Sequence, residues 1–266
     1  MKLNTIARSN HRDWGHITDL VIQKSKAGLR AEASRGYLGV LWWALEPVLY
    51  MTVFYIAFAH VLQRGDNNFV IFLLTGLIAW KWFHSTLNIG SNSLMINAGL
   101  MNQVYVPKIV FPLTTVAINT FKFLIILLLF LLFLQFTSVK VTWTWTLLPV
   151  LVFSQLLFIM AATCLLAAIM PFFPDLKMIL ENILMMLLFL SGIFYDITTT
   201  VPEKFQVYFL LNPMASLIGM YRKVLLEGTL PDWHNLLGVL LFSSLLLVIA
   251  LWLLKRFDRV YPKIVF

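Results

Sequence analysis

The sequence predicts an all-α polytopic membrane protein with six transmembrane helices and both termini in the cytoplasm. Three observations carry that expectation. Long, almost uncharged apolar stretches run between Val40 and Lys255, separated by short polar loops. A helix needs about 20 apolar residues to cross ~30 Å of hydrocarbon, because lipid offers no partner to a free backbone N–H or C=O. Of the 266 residues, 60% are hydrophobic and 12% charged, with a mean hydropathy of +0.85. Finally, Lys and Arg divide unequally between the two sets of loops, which fixes an orientation.

Taken in order, residues 16–35 place Ile17, Leu20, Val21 and Leu29 among Lys24, Lys26, Arg30 and Arg35. A basic, moderately apolar helix of this kind can lie in the cytoplasmic interface against anionic lipid, or stand as a plain solvated helix before the first span. The expected spans are 40–62, 69–93, 112–136, 145–169, 178–195 and 235–254. Trp42, Trp43, Trp143, Trp145, Trp233 and Trp252 fall at their ends, where an amphipathic ring prefers to sit. On the side shared by both termini lie seven basic residues within 1–38, then Lys108, Lys177, Lys255, Arg256, Arg259 and Lys263. The other side holds only Arg64, Lys140, Lys204, Arg222 and Lys223. The stretch 196–234 is too long for a plain connection. It reads as two short helices broken at Pro213 that dip back toward the membrane and form an outer gate.

The bulk numbers exclude several classes. Six spans and their loops use nearly the whole length, leaving no room for a soluble catalytic domain. The net charge of +8 sits beside the spans, so it signals orientation rather than nucleic acid. Residues 1–38 are polar and the first apolar run is too long for a signal-peptide core, so no cleavable leader is expected. Cys164 lies alone in an apolar run, as a core thiol. No Gly-Lys dipeptide occurs, hence no phosphate-binding loop; the five histidines (11, 16, 60, 84 and 234) are scattered, and no Gly-x-Ser-x-Gly elbow is present. Transport energy must then come from another chain or an ion gradient. A membrane-embedded transferase lacks its acid/base cluster here, and a purely structural subunit is the remaining alternative.

Four ionisable residues fall inside the spans: Glu46, Lys81, Lys122 and Glu181. Each costs ~2.5–3.5 kcal/mol or more at the bilayer centre unless paired or hydrated. Glu46 and Glu181 lie near cytoplasmic ends, within reach of snorkelling or capping. Lys81 is roughly 18 Å along its span. At 100° per residue, Lys81, Ser85, Asn88 and Asn92 share one line, flanked by His84 and Ser91. Thr115, Asn119 and Lys122 make a shorter stripe in the next span. The stripes either hydrogen-bond neighbouring helices or line an aqueous path; Lys122 could also pair with Glu46 or Glu181.

Four segments in sequence resemble the membrane permeases of type-two ABC exporters, in the branch that exports O-antigen and capsule. They are Arg35-Gly-Tyr-Leu-Gly-Val-Leu-Trp42 with Leu45-Glu46-Pro47; Phe72-Leu-Leu-Thr-Gly76-Leu-Ile-Ala-Trp80 with Trp82-Phe83; Ser91-Asn-Ser-Leu94 with Asn97-Ala98, Val104-Tyr-Val-Pro107 and Pro112-Leu113; and Val201-Pro-Glu-Lys-Phe205 with Leu211-Asn-Pro-Met214. The resemblance implies a single permease domain over 1–266, in the bacterial inner membrane. It would work as a homodimer with two copies of a separate cytoplasmic ATPase that holds ATP and magnesium, and bind no cofactor of its own. The substrate implied is a lipid-linked glycan; capsular polysaccharide or teichoic acid would use the same architecture. Lys81, His84, Ser85, Asn88, Asn92, Thr115, Asn119 and Lys122 would line the channel. Trp80, Trp82 and Tyr195 could stack on sugars, although an aromatic in a span more often packs. Asn97–Phe111 matches the loop that couples to the ATPase, with Asn97, Leu100, Asn102, Gln103, Tyr105, Val106, Lys108 and, from the next loop, Asp175 as contacts. Pro202, Glu203, Lys204, Asn212 and Pro213 belong to the outer gate. Two departures bear on docking: Phe173-Pro174-Asp175 stands where the family usually carries Arg-Asp, and Gln103 stands where Lys is common.

Overall fold

The computed structural model describes residues 14–34, scattered positions between 39 and 56, and 67–265 apart from 138. The expected first span and Glu46 lie outside these described residues, save for isolated positions of that span. Among the described residues every regular element is helical. The first helix, α1, is Trp14–Ser34. It is followed by α2 (Asn67–Ser91), α3 (Ser93–Ile96), α4 (Ala98–Gln103) and α5 (Val110–Gln135). A 3₁₀ turn, Trp143–Leu147, leads into α6 (Leu148–Ile169). A second, Met170–Phe172, precedes α7 (Leu176–Leu190). Three short helices follow, α8 (Ile197–Thr200), α9 (Glu203–Leu210) and α10 (Pro213–Arg222), then a π-helical turn, Lys223–Glu227. The chain closes with α11 (Trp233–Arg256) and α12 (Tyr261–Ile264).

Four of these segments are long and apolar enough to cross a membrane: Phe69–Ser91, Val110–Gln135, Trp143–Phe172 and Trp233–Arg256. The expected fifth span ends early. Helix α7 has 15 residues and stops at Ser191, because Gly192 takes a left-handed φ of 66° that a helix cannot hold.

Helix α2 is the centre of the bundle. Its apolar window is 67% buried, against 22% for both α5 and α11, so the outer two keep their apolar surface for lipid. It touches α5, α6, α7 and α10. Close approach to α6 depends on Gly90, where a Cβ would stand 2.3 Å from Thr163 Cγ2. Aromatic layers fill the rest: Trp82 stacks on Phe123 at 4.0 Å and Phe83 on Phe158 at 5.5 Å. Helices α6 and α11 pair along their length. Their buried positions include Ser154, Ala161, Cys164, Ala167 and Ala168 on one and Ser243 and Ala250 on the other. Small side chains let two backbones approach where lipid supplies no hydrophobic drive.

Helix α1 packs against α5 instead of standing apart. Lys24 Nζ lies 4.1 Å above the Phe111 ring, Gly28 abuts Ile118, and Glu32 pairs with Lys122. Both series rise together, so the two helices run in the same direction.

Candidate functional site

The polar stripe of α2 faces away from the bundle centre. Gly90, half a turn of the helical wheel from Lys81, is the position pressed against Thr163 and Thr115. Lys81, His84, Ser85, Asn88 and Asn92 on the other side are half-buried in the single chain. Helix α7 flanks that side, and its exposed Glu181 acts electrostatically on His84. Glu181 lies in the second turn of α7, near its start as expected, and also beside the stripe. Apart from Glu181, the exposed surface of α7 is mainly apolar, with Met178, Ile179, Ile183 and Met185.

The second stripe is placed differently. Asn119 is buried, Thr115 donates to Phe111 O at 3.4 Å, and Lys122 is held by Glu32 of α1. The pairing with Glu181 considered from sequence is not the one adopted: α1 lies along this face of α5 and brings its own carboxylate. Trp80 and Trp82 sit in the core, each no more than 5% exposed. Tyr195 lies at the far end of the bundle, its hydroxyl donating to Phe189 O at 2.9 Å. Of these aromatics, Trp80 touches the stripe through the His84 ring at 6.5 Å, whereas Trp82 turns its ring onto Phe123.

At one end of the bundle the segment 97–109 meets α1, the α6–α7 loop and the C-terminal tail. Asn97 precedes α4 without a side-chain cap; it donates to Ser93 O at 2.7 Å and accepts a 2.7 Å hydrogen bond from Lys24 Nζ. Burial pushes the Lys24 ammonium down to about 8. Leu100, Asn102, Gln103, Val104 and Tyr105 are exposed. Val106 is half-buried, and Lys108 is only 2% exposed. Its Nζ curls back onto Val106 O at 3.1 Å, and burial lowers its affinity for the proton while Asp258 opposes that shift. A cleft of about 270 Å³ opens between this segment and the tail, lined by Met101, Tyr105, Lys108, Asp258 and Pro262 among others. Asp175 is exposed at the start of α7.

The opposite end is a hairpin. Pro202 precedes α9, whose first residues Glu203 and Lys204 are exposed. Asn212 caps α10 by accepting from Met214 N–H at 3.0 Å and donates to Ser191 Oγ at 2.9 Å. Pro213 occupies the first turn of α10, where its missing N–H costs nothing. The break expected at Pro213 is found, and α8 adds a third short helix.

Arg222 was invisible as a site in the sequence, where it counts as one loop cation beside Lys223. It is 6% exposed. Its Nη1 and Nη2 donate to Gly192 O and Ile193 O at 2.7 and 2.8 Å. Nε donates to Phe72 O at 3.3 Å, and the guanidinium lies 3.4 Å from the centre of the Phe72 ring. Gly76 makes the space: a Cβ there would sit 2.9 Å from Nη2. Burial lowers the arginine's affinity for its proton to about 9, with Asp196 opposing.

A family profile described as ABC-2 type transporter matches residues 27–226. The chain belongs to the ABC-2 type transporter family. That match runs from the middle of α1 to the π-helical turn of the hairpin and leaves out the C-terminal tail that lines the cleft. Among curated relatives, the O-antigen export system permease protein RfbA of Myxococcus xanthus is 33% identical over 237 residues, covering 89% of this chain and 91% of the relative. RfbA of Klebsiella pneumoniae is 27% identical, covering 89% and 90%. The polysialic acid transport protein KpsM of Escherichia coli is 25% identical, covering 85% and 89%. As an ABC-2 chain, the molecule is a membrane transporter component.

Proposed function

We propose that this ABC-2 chain is the transmembrane subunit of an exporter that moves lipid-linked O-antigen polysaccharide across the bacterial inner membrane. It works as a homodimer with two copies of a separate ATPase, and the conduit lies between the two copies. The carrying observation is the α2 stripe: a half-buried row of Lys81, Ser85, Asn88 and Asn92 turned away from its own core. Such a row in hydrocarbon needs water or a partner. Relatives named for O-antigen export align over about nine-tenths of both lengths, and the lower identity to KpsM makes capsular polysaccharide the second choice.

Several features support the finer reading. The described N-terminal helix, the segment 97–109, the α6–α7 loop and the tail share one end, through Lys24–Asn97, Tyr105–Asp258 and Tyr261–Ala168 contacts. The loop 137–144 and the hairpin share the other, where Thr144 donates to Val224 O at 2.8 Å. The basic residues concentrate at the first end, which is therefore cytoplasmic. Six spans follow if 40–62 crosses once and α7 with residues 191–195 completes a crossing. The exposed residues of 100–105 are then the ATPase contact, and 196–228 the outer gate.

Gene disruption in the host provides the test. Lipid-linked polysaccharide should accumulate inside and surface O-antigen should vanish, with rescue by the wild-type chain and not by Lys81→Leu. Normal surface polysaccharide in the disrupted strain would refute the assignment.

A further inference from the structure

The tail beyond α11 makes contacts that the transport reading leaves unused. Between α4 and α5 the backbone at 104–107 forms no helix, and a backbone N–H at such a break needs an acceptor. Asp258, just past the end of α11, supplies it. One carboxylate oxygen accepts from the Lys108 N–H at 3.3 Å, the other from the Tyr105 hydroxyl at 2.9 Å. The tail is itself anchored. Tyr261 is fully buried and donates through its hydroxyl to Ala168 O, near the end of α6, at 3.1 Å. The Phe172 ring meets Phe257 and Tyr261 edge-on at 5.2 and 5.7 Å. A displacement of 97–109 therefore reaches α6 and α11 through one carboxylate.

We propose that Asp258 is a positioning residue, and the tail a strut, that fixes the 97–109 segment to α6 and α11 so that movement imposed there by the ATPase turns the helices instead of bending the loop. The proposal rests on the reading of that segment as the ATPase contact. It adds that the C-terminal tail, distant in sequence, sets the efficiency of coupling. Chemistry distinguishes this role from a charge contact with the partner. An asparagine at 258 retains an oxygen for the Lys108 N–H and an amide that can donate to the Tyr105 oxygen, whereas alanine loses both.

The test uses the purified permease–ATPase complex in proteoliposomes, with lipid-linked polysaccharide exported per ATP hydrolysed as readout. Spin labels at Asn102 and Lys263 report the segment-to-tail distance in the same preparations. Asp258→Ala removes both hydrogen bonds and should lower export per ATP at least about tenfold, the population shift expected from losing even one of them, and broaden the distance distribution. Asp258→Asn should restore both, and Tyr105→Phe should fall between. Unchanged coupling with Asp258→Ala, or a narrow distance distribution in that variant, would overturn the strut. So would an Asp258→Asn complex as impaired as the alanine one. If a cysteine at Val104 fails to crosslink to the ATPase in the wild-type background while the distance distribution still broadens in Asp258→Ala, the contact assignment falls and the strut stands.

Discussion

The two ends of the bundle are built in opposite ways. At the hairpin end, eight of the ten residues of α10 are buried, from Met214 to Arg222, and one guanidinium gathers three backbone carbonyls from α2 and the turn after α7. At the other end, α4 shows Leu100, Asn102 and Gln103 to the outside, and its ties are half-exposed polar links through Lys24 and Asp258. At the first, α10 is packed within the single chain, while α9 has no buried residue and shows Phe205, Val207 and Tyr208 to the outside. The second leaves a ledge of mixed apolar and polar side chains that another protein can cover. The contrast therefore lies between the buried α10 core, fixed by internal packing, and the 97–109 segment, held by polar ties.

The sharpest way to break the contrast is at Arg222. Replacing it with Met removes three hydrogen bonds and leaves the Gly192 and Ile193 carbonyls without their donor. Stability should fall by about 2–4 kcal/mol, seen as a lower unfolding midpoint in detergent. Arg222→Lys should recover little, because an ammonium cannot reproduce the planar fork. Full stability in either variant would mean that the knot is incidental. Next in size is Gly90→Val. With Thr163 Cγ2 already where a Cβ would go, overpacking should cost ~1–3 kcal/mol and loosen α2 from α6; relief by Thr163→Ser in the double variant would locate the clash.

Smaller effects belong to the docking of α1 on α5. Glu32 and Lys122 are 40% and 24% exposed, and a double-mutant cycle on the pair should return about 0.5–1 kcal/mol. A coupling energy of zero would detach α1 from α5. Lys24 provides a pH signature. Burial holds its amine at about 8 against an ordinary 10.5, so between those values the folded chain binds fewer protons than the unfolded one. The docking of α1 should then strengthen as pH rises through that window, the penalty being fully present below pH 8. Competitive acylation should find Lys24 titrating near 8; a midpoint at 10.5 would show that it stays in water.

Much of this was legible from sequence, and the failures have physical causes. The apolar runs placed α2, α5, α6 and α11 within a few residues, because hydrocarbon thickness and a 3.6-residue period leave little freedom. Asn212-Pro213 announced the start of α10. Helix α7 ended early because Gly192 and its arginine donor interrupt an apolar run that composition reads as continuous. Arg222 was hidden for a related reason: a count of charges by loop cannot tell that a helix carries one of them inward. Lys122 pairs with Glu32 of α1, a carboxylate outside the two considered because α1 reads from sequence as a separate surface helix; Glu46, one of those two, lies outside the described residues. Trp82 follows the expectation that an aromatic in a span more often packs, its ring stacked on Phe123; which neighbour would take the ring no pattern reveals.

The central claim is that the α2 stripe, unlike the Thr115–Asn119–Lys122 row, faces a water-filled path between two copies. Cys164 is fully buried, so a single added cysteine can be read against a silent background. Cysteines at Ser85, Asn88 and Asn92 should react with a charged, membrane-impermeant thiol reagent in the assembled transporter, while one at Asn119 should not. Silence along 85–92, with modification at 119, would contradict the account.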